Sequence, residues 1–110
     1  MTAARGVYRR MSRIVRQRIW LRKDEVLDAV EAFTGDRPSF YSYSYRIRRD
    51  GGWTPLIRWD NWEGQDHVDR YDETGVLRDR VPWRERPLPD VLKLLRLFRR
   101  NLLTMELSEL

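Results

Sequence analysis

The stretch Phe40–Arg48, read Phe-Tyr-Ser-Tyr-Ser-Tyr-Arg-Ile-Arg, decides the fold. Its residues alternate strictly. Tyr41, Tyr43, Tyr45 and Ile47 fall on one side, and Ser42, Ser44, Arg46 and Arg48 on the other. A period of two is the signature of a strand with one buried face and one polar face. Asp50-Gly51-Gly52 follows as a hairpin turn. The chain then returns over Trp53–Trp59, whose residues Trp53, Pro55, Ile57 and Trp59 are expected to share a face. Pro55 has no N–H to give to a ladder, which predicts a free edge or a bulge there.

Downstream, 61–66 reads as a loop around Gly64. Residues 67–71 form a third strand, with His67, Asp69 and Tyr71 on one face and Val68 and Arg70 on the other. Glu73-Thr74-Gly75 makes a turn, and 76–81 a fourth strand that Pro82 ends. From Leu88 to about Met105 the stripe Val91, Leu94, Leu95, Phe98, Leu102 and Met105 predicts a long helix. Pro87 and Pro89 stand at its start, where proline is tolerated. Lys93, Arg96, Arg99 and Arg100 lie off the stripe. The stripe suits packing on the sheet and would also suit a homodimer face.

Upstream, Asp24 caps a short helix in which Val26, Leu27, Val30 and Phe33 recur at helical spacing, closed by Thr34-Gly35 before Pro38. Residues 12–21 pair their apolar side chains as Ile14-Val15 and Ile19-Trp20. That fits neither period; the β-branched and aromatic content leans to a strand, with a helix as the alternative. Residues 1–11 read as a basic arm. The expected architecture is a single α+β domain over 1–110: an antiparallel sheet of four or five strands, with a short early helix and a long C-terminal helix on one face.

Composition sets bounds on function. The 110 residues carry a net charge of +5, and of 22 basic residues only Lys23 and Lys93 are lysine. Residues 1–23 hold seven arginines, one lysine and no acidic residue. Arginine presents a planar fork to phosphate and stacks on bases, so this bias points to nucleic acid, although a genome-wide preference for arginine reads the same way. The absence of cysteine excludes disulfides, thiolate nucleophiles and cysteine-held metals. No apolar run approaches the roughly 20 residues that span a bilayer. No secretory signal is apparent either, and a cytoplasmic protein is expected.

The segment 58–72 concentrates chemistry. It holds five acidic residues, the only histidine, two tryptophans, a tyrosine and two arginines. His67 is the one side chain whose ordinary titration suits acid–base work near neutrality. Asp69 shares its strand face and is placed to orient or charge the ring, with Tyr71 next and Asp60 near the loop mouth. Arg46, Arg48 and Arg58 would hold phosphate, with Arg9, Arg10 and Arg13 of the arm. Trp62 and Asn61 would contact bases. A metal-independent cleavage of RNA needs a base, an acid and a cation for the phosphate, and these residues supply the types. No cofactor is then needed. The alternative is a divalent metal held by Asp60, Asp66, His67 and Asp69. The bland reading makes Asp60-Asn61 a turn, pairs Asp66 and Asp69 with arginines, and leaves His67 a satisfied polar residue.

The order Tyr-x-Tyr strand, glycine turn, Arg58-Trp59-Asp60-Asn61, Gly64 and His67-x-Asp69, then a terminal helix, resembles TumE-like proteins, toxin components of prokaryotic toxin–antitoxin pairs, and related archaeal domains. It covers residues 40–72 and, loosely, the helix. Two positions depart: Asp69 stands where the family has a second histidine, and Trp59 where it has tyrosine. The resemblance implies action on RNA, by a ribonuclease-type activity, and neutralisation by an antitoxin protein. The competing class is a non-enzymatic module that binds nucleic acid or protein through the arginine arm and the exposed sheet face.

Overall fold

The structure, a computed structural model, describes residues 11–98. Six strands follow in order: β1 Met11–Arg22, β2 Glu25–Thr34, β3 Arg37–Arg49, β4 Gly52–Asp60, β5 His67–Tyr71 and β6 Leu77–Pro82. A single 3-10 turn, Trp62–Gly64, sits between β4 and β5, and one helix, α1 Leu88–Phe98, follows β6. Each strand pairs antiparallel with the next, so the spatial order is the chain order.

The expected helix after Asp24 is a strand. Residues 25–34 pair with β1 on one side and β3 on the other. Val26, Leu27, Val30 and Phe33 satisfy a helical period, but the same segment has apolar residues on both faces of a strand. Leu27 and Ala29 face the core beneath α1, while Val26 and Ala32 are buried on the opposite face. A central strand with buried apolar residues on both faces loses the clean alternation that marks it in sequence. Glu25 and Glu31 fall on the core face, where Tyr45 and Tyr43 donate hydroxyl hydrogen bonds to them at 2.5 and 2.8 Å. These long-range partners remove the cost of carboxylates that a helix would have placed in solvent.

Residues 12–21 are strand, as their β-branched content leaned, and bring the count to six rather than four or five. The expected long helix runs eleven residues, Leu88–Phe98; the segment assigned to it beyond Phe98 lies outside the described residues. Val91 and Leu95 are fully buried in the same core cluster as Leu27, Tyr43 and Trp59, and Leu88, Leu92 and Leu94 pack against that cluster.

The tyrosine strand behaves as its alternation predicts: Tyr41, Tyr43 and Tyr45 are buried in the core. The hairpin after it turns on Asp50 and Gly51, both at positive φ (50° and 80°), the geometry of a tight two-residue hairpin. Pro55 stands at a bulge. Tyr45 pairs with Ile57 but Arg46 with Pro55, so Leu56 is the extra residue. The bulge reverses the side-chain alternation. Ile57 and Trp59 therefore face the core, whereas Trp53, opposite Arg48, sits on the polar face rather than sharing theirs.

The Tyr43–Glu31 contact exists only if residues 25–34 are a strand in this register. A double-mutant cycle with Tyr43→Phe and Glu31→Gln, read by urea denaturation, should give a coupling energy of about 0.5–3 kcal/mol; a value near zero contradicts the pairing. The β5–β6 turn offers a second test. Thr74 Oγ1 and the backbone N–H groups of Thr74 and Val76 donate to Asp72 Oδ1 at 2.6, 2.8 and 3.0 Å. Led by the Thr74 hydroxyl, they hold the Asp72 carboxyl below the usual carboxylate range. The turn is thus supported fully above that range and loses this support as pH falls through the lowered folded value. In an NMR pH titration Thr74→Val should move the Asp72 midpoint upward.

Candidate functional site

Register places the functional side chains. Reading straight across the six strands on the face away from α1, the paired residues are Arg18, Asp28, Ser44, Arg58, Asp69 and Arg80. Cations and anions alternate along this row, with Ser44 in the one neutral place. Arg18 grips Asp28 with two bonds at 2.8 and 3.0 Å, and Arg46 approaches the same carboxylate at 3.6 Å. Asp69 is wholly buried. Arg80 donates Nε–H to its Oδ1 at 2.6 Å and an Nη2–H to its Oδ2 at 2.9 Å, and Arg58 donates to Oδ2 at 2.9 Å. Burial alone would raise the Asp69 carboxyl; the hydrogen bonds from Arg80 and Arg58 outweigh it and hold the group below its ordinary range.

The next row over pairs Asp60 with His67. Asp60 is 2% exposed and His67 7%. Asp60 Oδ1 accepts from the Trp62 N–H at 3.0 Å, and its Oδ2 lies 2.7 Å from Arg58 Nε. His67 Nδ1 lies 2.9 Å from the Gln65 carbonyl oxygen. A carbonyl can only accept, so Nδ1 carries a proton and Nε2 is the ring's remaining site. Nε2 is 2.7 Å from Asp60 Oδ1 and 3.7 Å from Asp69 Oδ2. The 2.7 Å contact is close but misdirected: Nε2 is buried without a hydrogen-bond partner, as is Arg58 Nε.

Two hollows flank this cluster, and Trp62 borders both. One, of about 230 Å³, is lined by Phe40, Ser42, Arg58, Asp60 and Trp62. The other, of about 250 Å³, is lined by Trp62, Gln65, His67, Arg80 and Pro82. The Trp62 ring is held edge-on to Phe40 at 6.0 Å and stays 60% exposed.

His67, Asp69 and Asp60 thus converge, with Arg58 bridging both aspartates. The other expected site residues divide. Tyr71 meets the cluster through the Arg58 guanidinium, 5.9 Å from its ring centre, and burial pushes its hydroxyl up, away from acid–base work near neutrality. Asn61 is structural: its side chain accepts from Tyr41 N–H and donates to the Ser39 carbonyl, fastening the loop to β3. Asp66 points to the helix side, where it accepts from the Tyr41 hydroxyl at 2.6 Å. Of the four expected metal ligands, Asp60, His67 and Asp69 therefore remain together. Arg46 and Arg48 lie on the polar face, Arg48 stacked 4.7 Å over Trp53. Arg13 is on the opposite face, over Phe33, and Arg9 and Arg10 lie outside the described residues. Sequence reasoning missed Arg80, Arg18 and Asp28. The alternation around Arg80 is visible in the text, but its place opposite Asp69 depends on the length of the 72–76 turn.

No protein-family model, no curated protein and no solved structure matches the chain.

Asp69→Asn keeps the shape and removes the charge between two guanidinium groups. Breaking a buried pair from one side costs about 3–5 kcal/mol. Arg58 and Arg80 are partly solvated, so the lower end, about 3 kcal/mol, is expected in chemical denaturation. A loss below about 1 kcal/mol would mean that Asp69 does not organise the row.

Proposed function

We propose that the polar sheet face binds single-stranded RNA without cleaving it. The observation that carries this reading is the face's composition. On its paired registers it presents Arg16, Arg18, Arg46, Arg48, Arg58 and Arg80 against Asp28, Asp60 and Asp69, an excess of arginine. At two places that excess adjoins aromatic rings. Trp53 is contacted by Arg18 and Arg48 at 4.9 and 4.7 Å, with Trp20 edge-on at 5.7 Å. Trp62 stands between the two hollows. Guanidinium groups for phosphates and ring planes for bases are the two elements by which sheets hold unpaired strands.

The geometry favours binding over metal-independent cleavage. The His67 Nδ1–H is committed to the Gln65 carbonyl, and Nε2 is buried beside two carboxylates, so neither nitrogen is offered to a 2′-hydroxyl. The resemblance to TumE-like proteins supports RNA over DNA as ligand, and adds an antitoxin partner to the proposal. No helix of the described residues is long and apolar enough to cross a membrane.

Fluorescence anisotropy with a labelled single-stranded RNA tests this. Arg16→Ala/Arg48→Ala should weaken binding and flatten the salt dependence, by about 0.7 in log–log slope for each phosphate no longer neutralised. Trp62→Ala should remove one stacked base, about 1–3 kcal/mol. RNA affinity equal in wild type and variants would overturn the assignment. RNA degradation that His67→Gln abolishes would replace it with the cleavage reading.

A further inference from the structure

We propose that Asp60, His67 and Asp69 form a binding site for a single first-row divalent cation such as Zn²⁺, with His67 Nε2 as its nitrogen ligand. Three observations carry this. The ligand atoms of these three residues lie within 4.8 Å of one another. The His67 side chain is more than nine-tenths buried and its Nε2 has no hydrogen-bond partner, although carboxylate oxygens stand 2.7 and 3.7 Å away. Nδ1 is turned to a backbone carbonyl, which fixes the ring and sets its other nitrogen, Nε2, beside the carboxylates. Metal-binding histidines are characteristically held this way, with the second nitrogen donating to a carbonyl or carboxylate.

The chemistry of the donor set selects the cation. One imidazole with two carboxylates suits Zn²⁺, Mn²⁺ or Fe²⁺ over Mg²⁺ or Ca²⁺, which prefer oxygen alone. Arg58 and Arg80 act as outer partners. They orient the Asp69 carboxylate, and Arg58 reaches Asp60 as well. Their charge also opposes the cation, so the site is weaker than three free ligands would make it. The hollows on either side, one touching Asp60 and one touching His67, leave room for water or an anionic ligand to complete the coordination. The cation would replace the misdirected Asp60–His67 contact with two directed bonds.

The site stands independently of RNA binding, and its test contains no RNA. Chelator-treated full-length protein is titrated with Zn²⁺ by isothermal calorimetry. One equivalent should bind, and His67→Gln should weaken this at least about tenfold, whereas Asp66→Asn should leave it unchanged. A second measurement needs no variant: in ¹⁵N NMR of the wild-type protein, Zn²⁺ should shift the His67 Nε2 resonance while the Nδ1–H persists. Zn²⁺ binding unaffected by His67→Gln, an unmoved Nε2 resonance at saturation, or no binding at all would overturn the assignment.

Discussion

A carboxylate with no solvent contact lies on β5, one strand in from the β6 edge of the polar sheet face, and much of the surrounding arrangement follows from it. Asp69 is paired in register with Arg58 on one side and Arg80 on the other. Burying a charge costs several kcal/mol unless partners of opposite sign and good geometry meet it (roughly this per ion). Here two guanidinium groups do so from adjacent strands, each held by its own backbone ladder. A slip of one residue in either pairing would send the partner to the other face. The ion pairs therefore specify register as well as contributing energy. The same logic extends along the row to Arg18 and Asp28, at the other edge of the sheet.

How much of this was legible depends on whether a residue's partner is near in sequence. The β3 strand, its Asp50-Gly51 turn and the β5 alternation were readable because period and turn chemistry are local. The convergence of Asp60, His67 and Asp69 was half-readable: His67 and Asp69 share a face by spacing, while Asp60 joins them only through the β4–β5 register. β2 was not readable. Its two faces both carry apolar residues, and the groups that satisfy Glu25 and Glu31 are tyrosine hydroxyls on β3. Trp53 was misplaced because a single bulged residue, Leu56, exchanges faces for everything before it. Pro55 gave warning of the bulge but not of its direction.

The cluster at Asp60 shows why composition alone is a poor guide to chemistry. The segment 58–72 is dense in ionisable groups, yet most are engaged in support. Asn61 fastens a loop, Asp66 holds a core tyrosine, and Asp72 shapes a turn. What sets His67 apart within this segment is incompleteness: its Nε2 lies close to the Asp60 carboxylate without a directed bond, in a place where water is largely excluded. Unsatisfied buried groups are uncommon in folded proteins, and their persistence calls for a compensating role.

The two faces supply their carboxylates with different donors, and that difference separates support from exchange. On the helix side, Glu25, Glu31 and Asp66 accept from the hydroxyls of Tyr45, Tyr43 and Tyr41. Each tyrosine has one O–H, already given, on a ring buried in the core, so nothing is left over for a ligand. On the polar side the donors are arginines. Each guanidinium has five N–H groups in a fork, and Arg58 and Arg80 remain 34% and 48% exposed at the side chain. Such a donor can keep its carboxylate and still turn an edge to an incoming anion. Partner exchange without loss of the fold is therefore open to the arginine face and closed to the tyrosine face, which is why the proposed binding is assigned to the side of the sheet that α1 leaves uncovered.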